Sequence, residues 1–221
     1  MPASPALIAQ ATSTLYTAVL SDTLDSLGYR QQAMAGSVRP LDDSLTLFGR
    51  ARTGLFRDVY HVEPDTNPYE LEIKLIDDLQ EGEIAVMACG ASGRIAPWGE
   101  LLSTASRMRG AAGCVTDGLV RDVRQIRKME FPVFAGGIAP LDSRGRGMLV
   151  AIDEPAECGG VLVTPGDLVF GDVDGLVVIP QSIETEALEQ AIAKVTGENE
   201  TRDCLLQGML LAQVYEKYGI L

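Results

Sequence analysis

The stretch that decides the fold is Pro97–Arg124, PWGELLSTASRMRGAAGCVTDGLVRDVR. Pro97-Trp98-Gly99 breaks whatever precedes it, and Glu100-Leu101-Leu102-Ser103-Thr104-Ala105 starts a helix. The N–H groups of a helix's first turn have no partner inside the helix, so they are available to hold an anion. Ala111–Thr116 reads as a buried strand, and Asp117-Gly118 as the turn that leaves it. Arg121 and Asp122 follow, with 20 residues between Glu100 and Arg121. A helix-plus-strand return of that length brings both ends of the segment to one edge of a sheet. One cleft would then contain backbone N–H donors, a guanidinium and two carboxylates. That set suits a small carboxylate substrate beside a hard divalent cation.

Outward from this stretch, the chain alternates helices and strands. Thr14 is placed to cap a helix running to about Leu27 and ended by Gly28, and Gly36–Asp43 reads as loop. Leu47–Phe56 is a strand. Asn67 caps a helix beginning at Pro68, with Leu71, Leu75, Ile76 and Leu79 as its buried stripe. Glu83–Cys89 is a continuous apolar strand of the kind covered on both faces. Beyond the central stretch come a short helix, Val123–Lys128, a short strand, Val133–Ala135, and a polar loop, Pro140–Gly147. Short strands follow at Leu149–Ile152, Gly160–Val163, Asp167–Phe170 and Gly175–Ile179, with Asp174-Gly175 at a tight turn. From Ser182 the chain is helical, with a weak point at Gly197 and a break near Gly208. This order predicts a layered α/β fold on a mixed sheet rather than a regular βα barrel. With 221 residues and no repeat or linker, one domain spanning 1–221 is the natural reading.

Composition narrows the function. The formal net charge is −13 and the pI is near 4.5, so nucleic-acid phosphates and anionic membranes would repel the chain. An anionic substrate therefore needs local positive charge, and Arg121 is placed to supply it. No apolar run approaches the ~20 residues of a membrane span. Met1–Gln10 lacks the basic and apolar regions of a signal peptide, so the cytoplasm is the expected compartment. Cys89, Cys114, Cys158 and Cys204 are widely spaced and form no C-x-x-C. Cys89 and Cys114 lie in apolar runs and read as reduced, buried thiols. The single His61 cannot build a histidine metal site. Ser103 has no histidine nearby in sequence to activate it. Lys74, Lys128, Lys194 and Lys217 sit on helix patterns; a Schiff-base aldolase needs a buried lysine, and only Lys74 is flanked by apolar residues. Phosphate-binding glycine motifs are absent, which leaves nucleotide and S-adenosylmethionine binding without support.

The same residues carry a family resemblance. Gly99-Glu100-Leu101-Leu102, Gly110-Ala111-Ala112-Gly113 running into Asp117-Gly118-Leu119-Val120-Arg121-Asp122, and Phe131-Pro132-Val133-Phe134-Ala135 resemble the RraA-like proteins (named for regulator of ribonuclease activity A). Pro165-Gly166-Asp167, Gly171-Asp172-Val173-Asp174-Gly175 and the terminal Tyr218-Gly219 extend the likeness over most of the chain from about Leu15. Within that family the match is closest to the 4-hydroxy-4-methyl-2-oxoglutarate aldolases, which also decarboxylate oxaloacetate. The resemblance implies a swivelling β/β/α domain with a long C-terminal helix, assembled as homotrimers or homohexamers. Its helical tail, about 182–221, would pack on a neighbouring subunit.

The resemblance also implies roles. Arg121 would bind the carboxylate and keto oxygens of a small 2-keto acid, and Asp122 would ligate Mg²⁺ or Mn²⁺. Glu100 stands where the aldolases hold the metal through water, as Glu where Asp is expected, and with Glu198 it would orient the metal-bound water that shuttles the proton. The backbone N–H groups of Gly99, Glu100, Leu101 and Leu102 would cradle the substrate carboxylate, while the leucine side chains pack in the core. Glu198, or else Glu200, would complete the metal's outer shell from the neighbouring subunit. Some members of the family are instead regulators that bind ribonuclease E without catalysis, and that is the rival expectation.

Overall fold

The computed structural model describes residues 3–62 and 64–219. The expectations that touch residues 1, 2, 220 and 221 lie partly outside that range. The elements are α1 (Pro5–Thr14), α2 (Thr17–Ser26), β1 (Arg39–Pro40), β2 (Leu47–Asp58), α3 (Glu70–Asp77), β3 (Glu83–Ala88), α4 (Glu100–Met108), β4 (Gly113–Val120), α5 (Val123–Lys128), β5 (Val133–Ile138), β6 (Gly147–Ile152), β7 (Ala156–Cys158), β8 (Val161–Val163), β9 (Leu168–Asp172), β10 (Gly175–Ile179), α6 (Glu184–Leu206) and α7 (Leu211–Tyr218).

The main sheet runs β1-β5-β4-β3-β2-β9-β10, and β2 is long enough to pair β9 with its first half and β6 with its second. β2, β3, β4 and β5 are parallel, while β1, β6, β9 and β10 join antiparallel. β7 and β8 form a separate hairpin. The fold is therefore the mixed, layered α/β architecture expected, with α6 as its long C-terminal helix.

Strand alternation builds the layers. On β3, Ala85 and Met87 join the core under α3, α4 and α5, whereas Ile84, Val86 and Ala88 face a second core with β7 and β8. On β9 and β10, Leu168, Phe170, Val177 and Ile179 meet α1, α2 and α6 in a third core, while Val169, Leu176 and Val178 return to the second. The sheet is curled around that second core. Phe134 on β5 reaches Gly171 on β9, where an added Cβ would lie 2.8 Å from the ring. Arg39 in β1 donates to the carbonyls of Val173 and Asp174 in the two-residue turn joining β9 and β10. The two ends of the strand order thus meet, and the sheet is nearly closed.

Several local expectations are corrected. The helix predicted from Thr14 is two helices. Thr14 ends α1, and Leu15 and Tyr16 are extended with their side chains packed into the third core. Burial of both side chains outweighs continuation of the helix. α3 begins at Glu70 rather than Pro68, and Asn67 closes the turn before it by accepting from Tyr69 N at 3.1 Å. β4 does not end at a turn after Thr116. It continues through Asp117 and Gly118 to Val120, with an irregular register against β5 between Thr116 and Leu119. β1 lies inside the predicted loop Gly36–Asp43. Gly197 does not weaken α6, which is continuous past it, whereas Gly208 does separate α6 from α7, at φ +88°.

Cys89, Cys114 and Cys158 are buried free thiols. No helix among the described residues is long and apolar enough to cross a membrane.

Candidate active site

The parallel strands β3 and β4 deliver their carboxyl ends to one edge of the sheet, the usual location of ligand sites in α/β folds. After β3 the chain runs alongside the end of β4. Leu119 N donates to Ile95 O at 2.9 Å, Arg121 N donates to Trp98 O at 3.0 Å, and Trp98 pairs with Val120 in a parallel bridge. This pairing sets Gly99-Glu100 against Arg121-Asp122. The turn into α4 is fixed from below by Trp98, which is buried and donates from Nε1 to Ser103 Oγ at 2.8 Å. Ser103 Oγ in turn donates to Gly99 O at 2.9 Å. Ser103 is therefore a structural hydroxyl.

Asp122 is the N-cap of α5 and has left-handed backbone, φ +59° and ψ +28°. A non-glycine residue in that region costs on the order of 1 kcal/mol. The conformation is held from both sides, by Arg121 N on Trp98 O and by Gln125 N and Ile126 N on Asp122 O. The result aims the carboxylate back at α4. Glu100 N donates to Asp122 Oδ2 at 3.2 Å, and an added Cβ on Gly99 would lie 2.7 Å from the same oxygen. The N–H of Glu100, expected to serve a substrate carboxylate, is thus taken by Asp122. Leu101 and Leu102, whose N–H groups are the other donors of that turn, line the cleft. Leu102 packs against the core, as expected of both leucines, but Leu101 is 77% exposed at the rim.

Arg121 is loosely tied. Its Nε is 3.8 Å from Asp122 Oδ2, its Nη1 is 3.7 Å from Asp142 Oδ1, and Nη1 donates to Leu141 O at 3.4 Å. With 41% of its side chain exposed, these pairs are weak and leave the guanidinium able to turn to an anion. Glu100 is half-buried, and its Oε1 accepts from Thr104 Oγ at 3.0 Å.

Gly99, Leu101, Leu102, Arg121 and Asp122 line one cavity of about 200 Å³. Its inner wall contains Tyr69, Glu72, Asp142 and Ser143, which the sequence reading did not single out. Tyr69 donates from its hydroxyl to Asp142 Oδ2 at 2.8 Å. Burial and this bond push the tyrosine up to about 12. Burial alone would raise Asp142, but the Tyr69 hydrogen bond and Arg121 hold it below the usual carboxylate value. Glu72 is only 4% exposed and receives one hydrogen bond, from Ser143 Oγ at 3.2 Å. Burial pushes its carboxyl up to about 7, against the opposing effects of Ser143 and Arg121 and with help from Asp142. The signal for Glu72 was present in the sequence. It occupies the same helical face as Leu75, Ile76 and Leu79, where an acid is out of place.

Glu198 is elsewhere. It lies on α6, accepts a hydrogen bond from the Tyr16 hydroxyl and lines a separate pocket with Asp22 and Arg202. Within one chain, the structure brings together Gly99, Glu100, Leu101, Leu102, Arg121 and Asp122, but not Glu198. Glu200 is exposed on the same helix. No group of three or more His, Cys, Asp or Glu side chains placed to hold a metal occurs among the described residues.

Comparison with known proteins identifies the family. The profile of the RraA-like family, Aldolase/RraA, matches residues 17–178. The chain belongs to the RraA-like family. A relative from Halalkalibacterium halodurans named "Putative 4-hydroxy-4-methyl-2-oxoglutarate aldolase" is 29% identical over 199 residues, covering 90% of this chain and 88% of that protein. Protein DlpA of Legionella pneumophila is 28% identical over 91% of this chain, which spans only 32% of that longer protein. Among solved structures, Streptomyces coelicolor RraAS2, described as an unusual member of the RNase ES inhibitor RraA protein family, superposes with a TM-score of 0.80 at 28% identity. That match covers 91% of this chain and 98% of RraAS2. This RraA-like chain thus shares its fold with proteins named for an enzyme activity and with proteins named for inhibition.

Proposed function

We propose that this RraA-like protein is a divalent-metal-dependent aldolase. It cleaves a 4-hydroxy-2-oxo acid, such as 4-hydroxy-4-methyl-2-oxoglutarate, to pyruvate and a second carbonyl product, and it also decarboxylates oxaloacetate. The observation that carries this reading is the convergence of the Arg121 guanidinium, the left-handed Asp122 and the first turn of α4 in one cleft. The names of relatives such as the Halalkalibacterium protein support it.

The donor set fits Mg²⁺ or Mn²⁺. Asp122 has Oδ2 fixed by Glu100 N, and its other oxygen accepts no hydrogen bond among the described residues. A single carboxylate, with Glu100 beside it, suits a hard cation that keeps several waters. Glu198 or Glu200 of a neighbouring copy, in a trimer or hexamer, would add an outer-shell carboxylate. When bound, the cation supplies Lewis-acid stabilisation of negative charge on the keto oxygen.

The chain's own residues do the rest. Arg121 turns from its two loose aspartate contacts to the substrate's carboxylate and keto oxygens, where a guanidinium binds bidentately. The N–H groups of Leu101 and Leu102 hold the carboxylate at the positive end of α4. Breaking the C3–C4 bond leaves pyruvate enolate, whose charge Arg121 also stabilises. Loss of CO₂ from oxaloacetate gives the same enolate, so one cleft serves both reactions. The cytoplasm is the compartment this reading proposes.

The test is pyruvate release from 4-hydroxy-4-methyl-2-oxoglutarate and from oxaloacetate, with Mg²⁺ and with EDTA, for wild type and Asp122→Asn. Asparagine tolerates the left-handed backbone, so a folded variant is expected to lose about 10³-fold in turnover. Near-full activity of Asp122→Asn would sink the mechanism. The likeness to RraAS2 favours a second reading, a regulator that binds an RNA-processing protein. Folded wild type that releases no pyruvate from either substrate would favour it.

A further inference from the structure

The inner wall of the cleft contains a carboxyl group that the substrate-binding set does not use. Glu72 projects from α3, which packs on α4 and β6, into the cavity that also holds Arg121 and Asp122. It is more than nine-tenths buried and has one hydrogen-bond donor, Ser143, on Oε1. Its second oxygen accepts none among the described residues. A buried carboxyl with a single partner costs stability, and nothing in the fold depends on it as an ion pair.

On this basis, and resting on the aldolase reading above, we propose that Glu72 is the proton carrier of the cleft. Its carboxylate takes the proton of the substrate's C4 hydroxyl as the C3–C4 bond breaks, and its carboxylic acid returns that proton to C3 of the enolate. The balance closes without a co-reactant. The O–H pair becomes the second bond of the new C4 carbonyl. The C3–C4 pair becomes the C2–C3 double bond of the enolate as the keto carbonyl's π pair moves onto oxygen. The returned proton then forms the third C–H bond of pyruvate's methyl group. In oxaloacetate decarboxylation no hydroxyl proton is removed. Glu72 then acts only in the second half, protonating C3 and recovering its proton from water.

The other ionisable groups of the cleft are poorly placed for this task. Tyr69 is pushed up to about 12 and donates to Asp142. Asp142 is held low by Tyr69 and Arg121, which makes it a weak base. The Glu100 side chain is not part of the cavity lining and accepts from Thr104. The charged and titratable groups that act on Glu72 are Asp142, which raises it, and Arg121, which lowers it, while Tyr69 and Cys89 stay neutral. Their resultant leaves Glu72 titrating near 7, where one group can both accept and return a proton.

Glu72→Gln tests this, because it keeps the shape and a hydrogen-bond acceptor for Ser143 while removing the proton. Three quantities are read for wild type and variant with Mg²⁺: deuterium exchange into C3 of pyruvate in D₂O by NMR, cleavage of 4-hydroxy-4-methyl-2-oxoglutarate, and the affinity for oxalate, a planar mimic of the enolate. The variant is expected to lose at least about 100-fold in exchange and cleavage, with oxalate affinity within about threefold. Oxaloacetate consumption falls less, since its bond breaks without a base. Exchange and cleavage within about threefold of wild type would overturn the proposal. So would a loss of oxalate affinity that matches the loss of turnover, because Glu72 would then only shape the site. Wild type that shows neither exchange nor cleavage overturns the aldolase reading and this proposal with it. An active wild type with an undiminished variant overturns this proposal alone.

Discussion

Two buried glutamates, Glu72 on α3 and Glu184 on α6, are handled in contrary ways. Glu184, at the start of α6, is wholly buried and saturated. Arg50 grips it through Nη1 and Nη2 at 2.9 and 3.0 Å, and Ala3 N donates to it as well. Burial alone would raise its carboxyl, but these partners hold it below its ordinary value. Glu72 is nearly as buried, has one neutral donor, and is pushed up to about 7. Two aspartates of β4 and its exit repeat the contrast. Asp117 accepts from the backbone N–H groups of Cys89, Ala91 and Gly159 at 2.6, 3.0 and 3.3 Å. Asp122, five residues on, accepts from one, on a strained backbone. The saturated Glu184 and Asp117 hold this fold together, whereas the under-satisfied Glu72 and Asp122 line its cleft beside Asp142, which Tyr69 and Arg121 satisfy. Residue type does not separate Glu72 from Glu184 or Asp122 from Asp117, but the count of donors does.

The largest effect is expected where the saturated set is broken. Arg50→Met would strand the Glu184 carboxylate without its charged partner. Breaking a fully buried pair from one side costs about 3–5 kcal/mol; a third of the Arg50 side chain is exposed, so the loss should fall at or below the lower end of that range, to be read as a lowered urea midpoint at pH 7. Because Glu184 is held below its ordinary 4.5, its contribution is present above that pH and is lost as pH falls through the folded-state value. The wild-type and Arg50→Met curves should therefore converge in acid. A loss below about 1 kcal/mol at pH 7 would mean that solvent already reaches the pair.

Glu72 should behave with the opposite sign. A carboxyl raised from 4.5 to about 7 leaves the folded state holding a proton that the unfolded chain has released. Below pH 4.5 the group does not affect stability; between 4.5 and 7 it becomes progressively destabilising, by up to roughly 3 kcal/mol above pH 7. Glu72→Gln is accordingly expected to be more stable than wild type at pH 8 and equal to it at pH 4, in thermal unfolding. Equal stability at both pH values would show that Glu72 is not strained by burial. The contrast with Glu184 would then fail.

This contrast also explains what could be read in the sequence. The strands were legible because their alternation serves two cores at once, as in Glu83–Ala88. The helix Val123–Lys128 and the glycine stops at Gly28 and Gly208 were legible because local chemistry decides them. The convergence of Glu100 with Arg121 and Asp122 followed from the length of the return. Asp117-Gly118 misled, because an Asp-Gly pair signals a turn unless distant N–H groups capture the aspartate, and those come from Cys89, Ala91 and Gly159. Asp142 and Ser143 lay in a segment that read only as a polar loop. What brings them to Glu72 is packing between α3 and the loop before β6, which no local pattern encodes.

The smallest effect sharpens the comparison within the cleft itself. Gly99 has extended backbone, outside the left-handed region, so Gly99→Ala should barely change stability. Its added Cβ, however, would meet Asp122 Oδ2 at 2.7 Å and Arg121 Cγ at 3.1 Å, too close for any real Cβ in the first case. Both neighbours are half-exposed side chains that can swing away. The methyl group should therefore displace the carboxylate from Glu100 N and leave the fold intact. Turnover is expected to fall about tenfold, equivalent to ~1.4 kcal/mol of transition-state stabilisation. Mg²⁺ affinity should weaken in parallel, and the melting temperature should stay within about 2 °C. The same insertion beside Asp117 would act differently. A Cβ on Gly136 would lie 2.4 Å from the Asp117 backbone oxygen, and Asp117 is pinned by the N–H groups of Cys89, Ala91 and Gly159 on its side chain. Gly136→Ala should therefore lose stability first. If Gly99→Ala unfolds the protein as readily as Gly136→Ala, the cleft is as rigidly built as the core, and donor count would no longer mark which carboxylates are free to act.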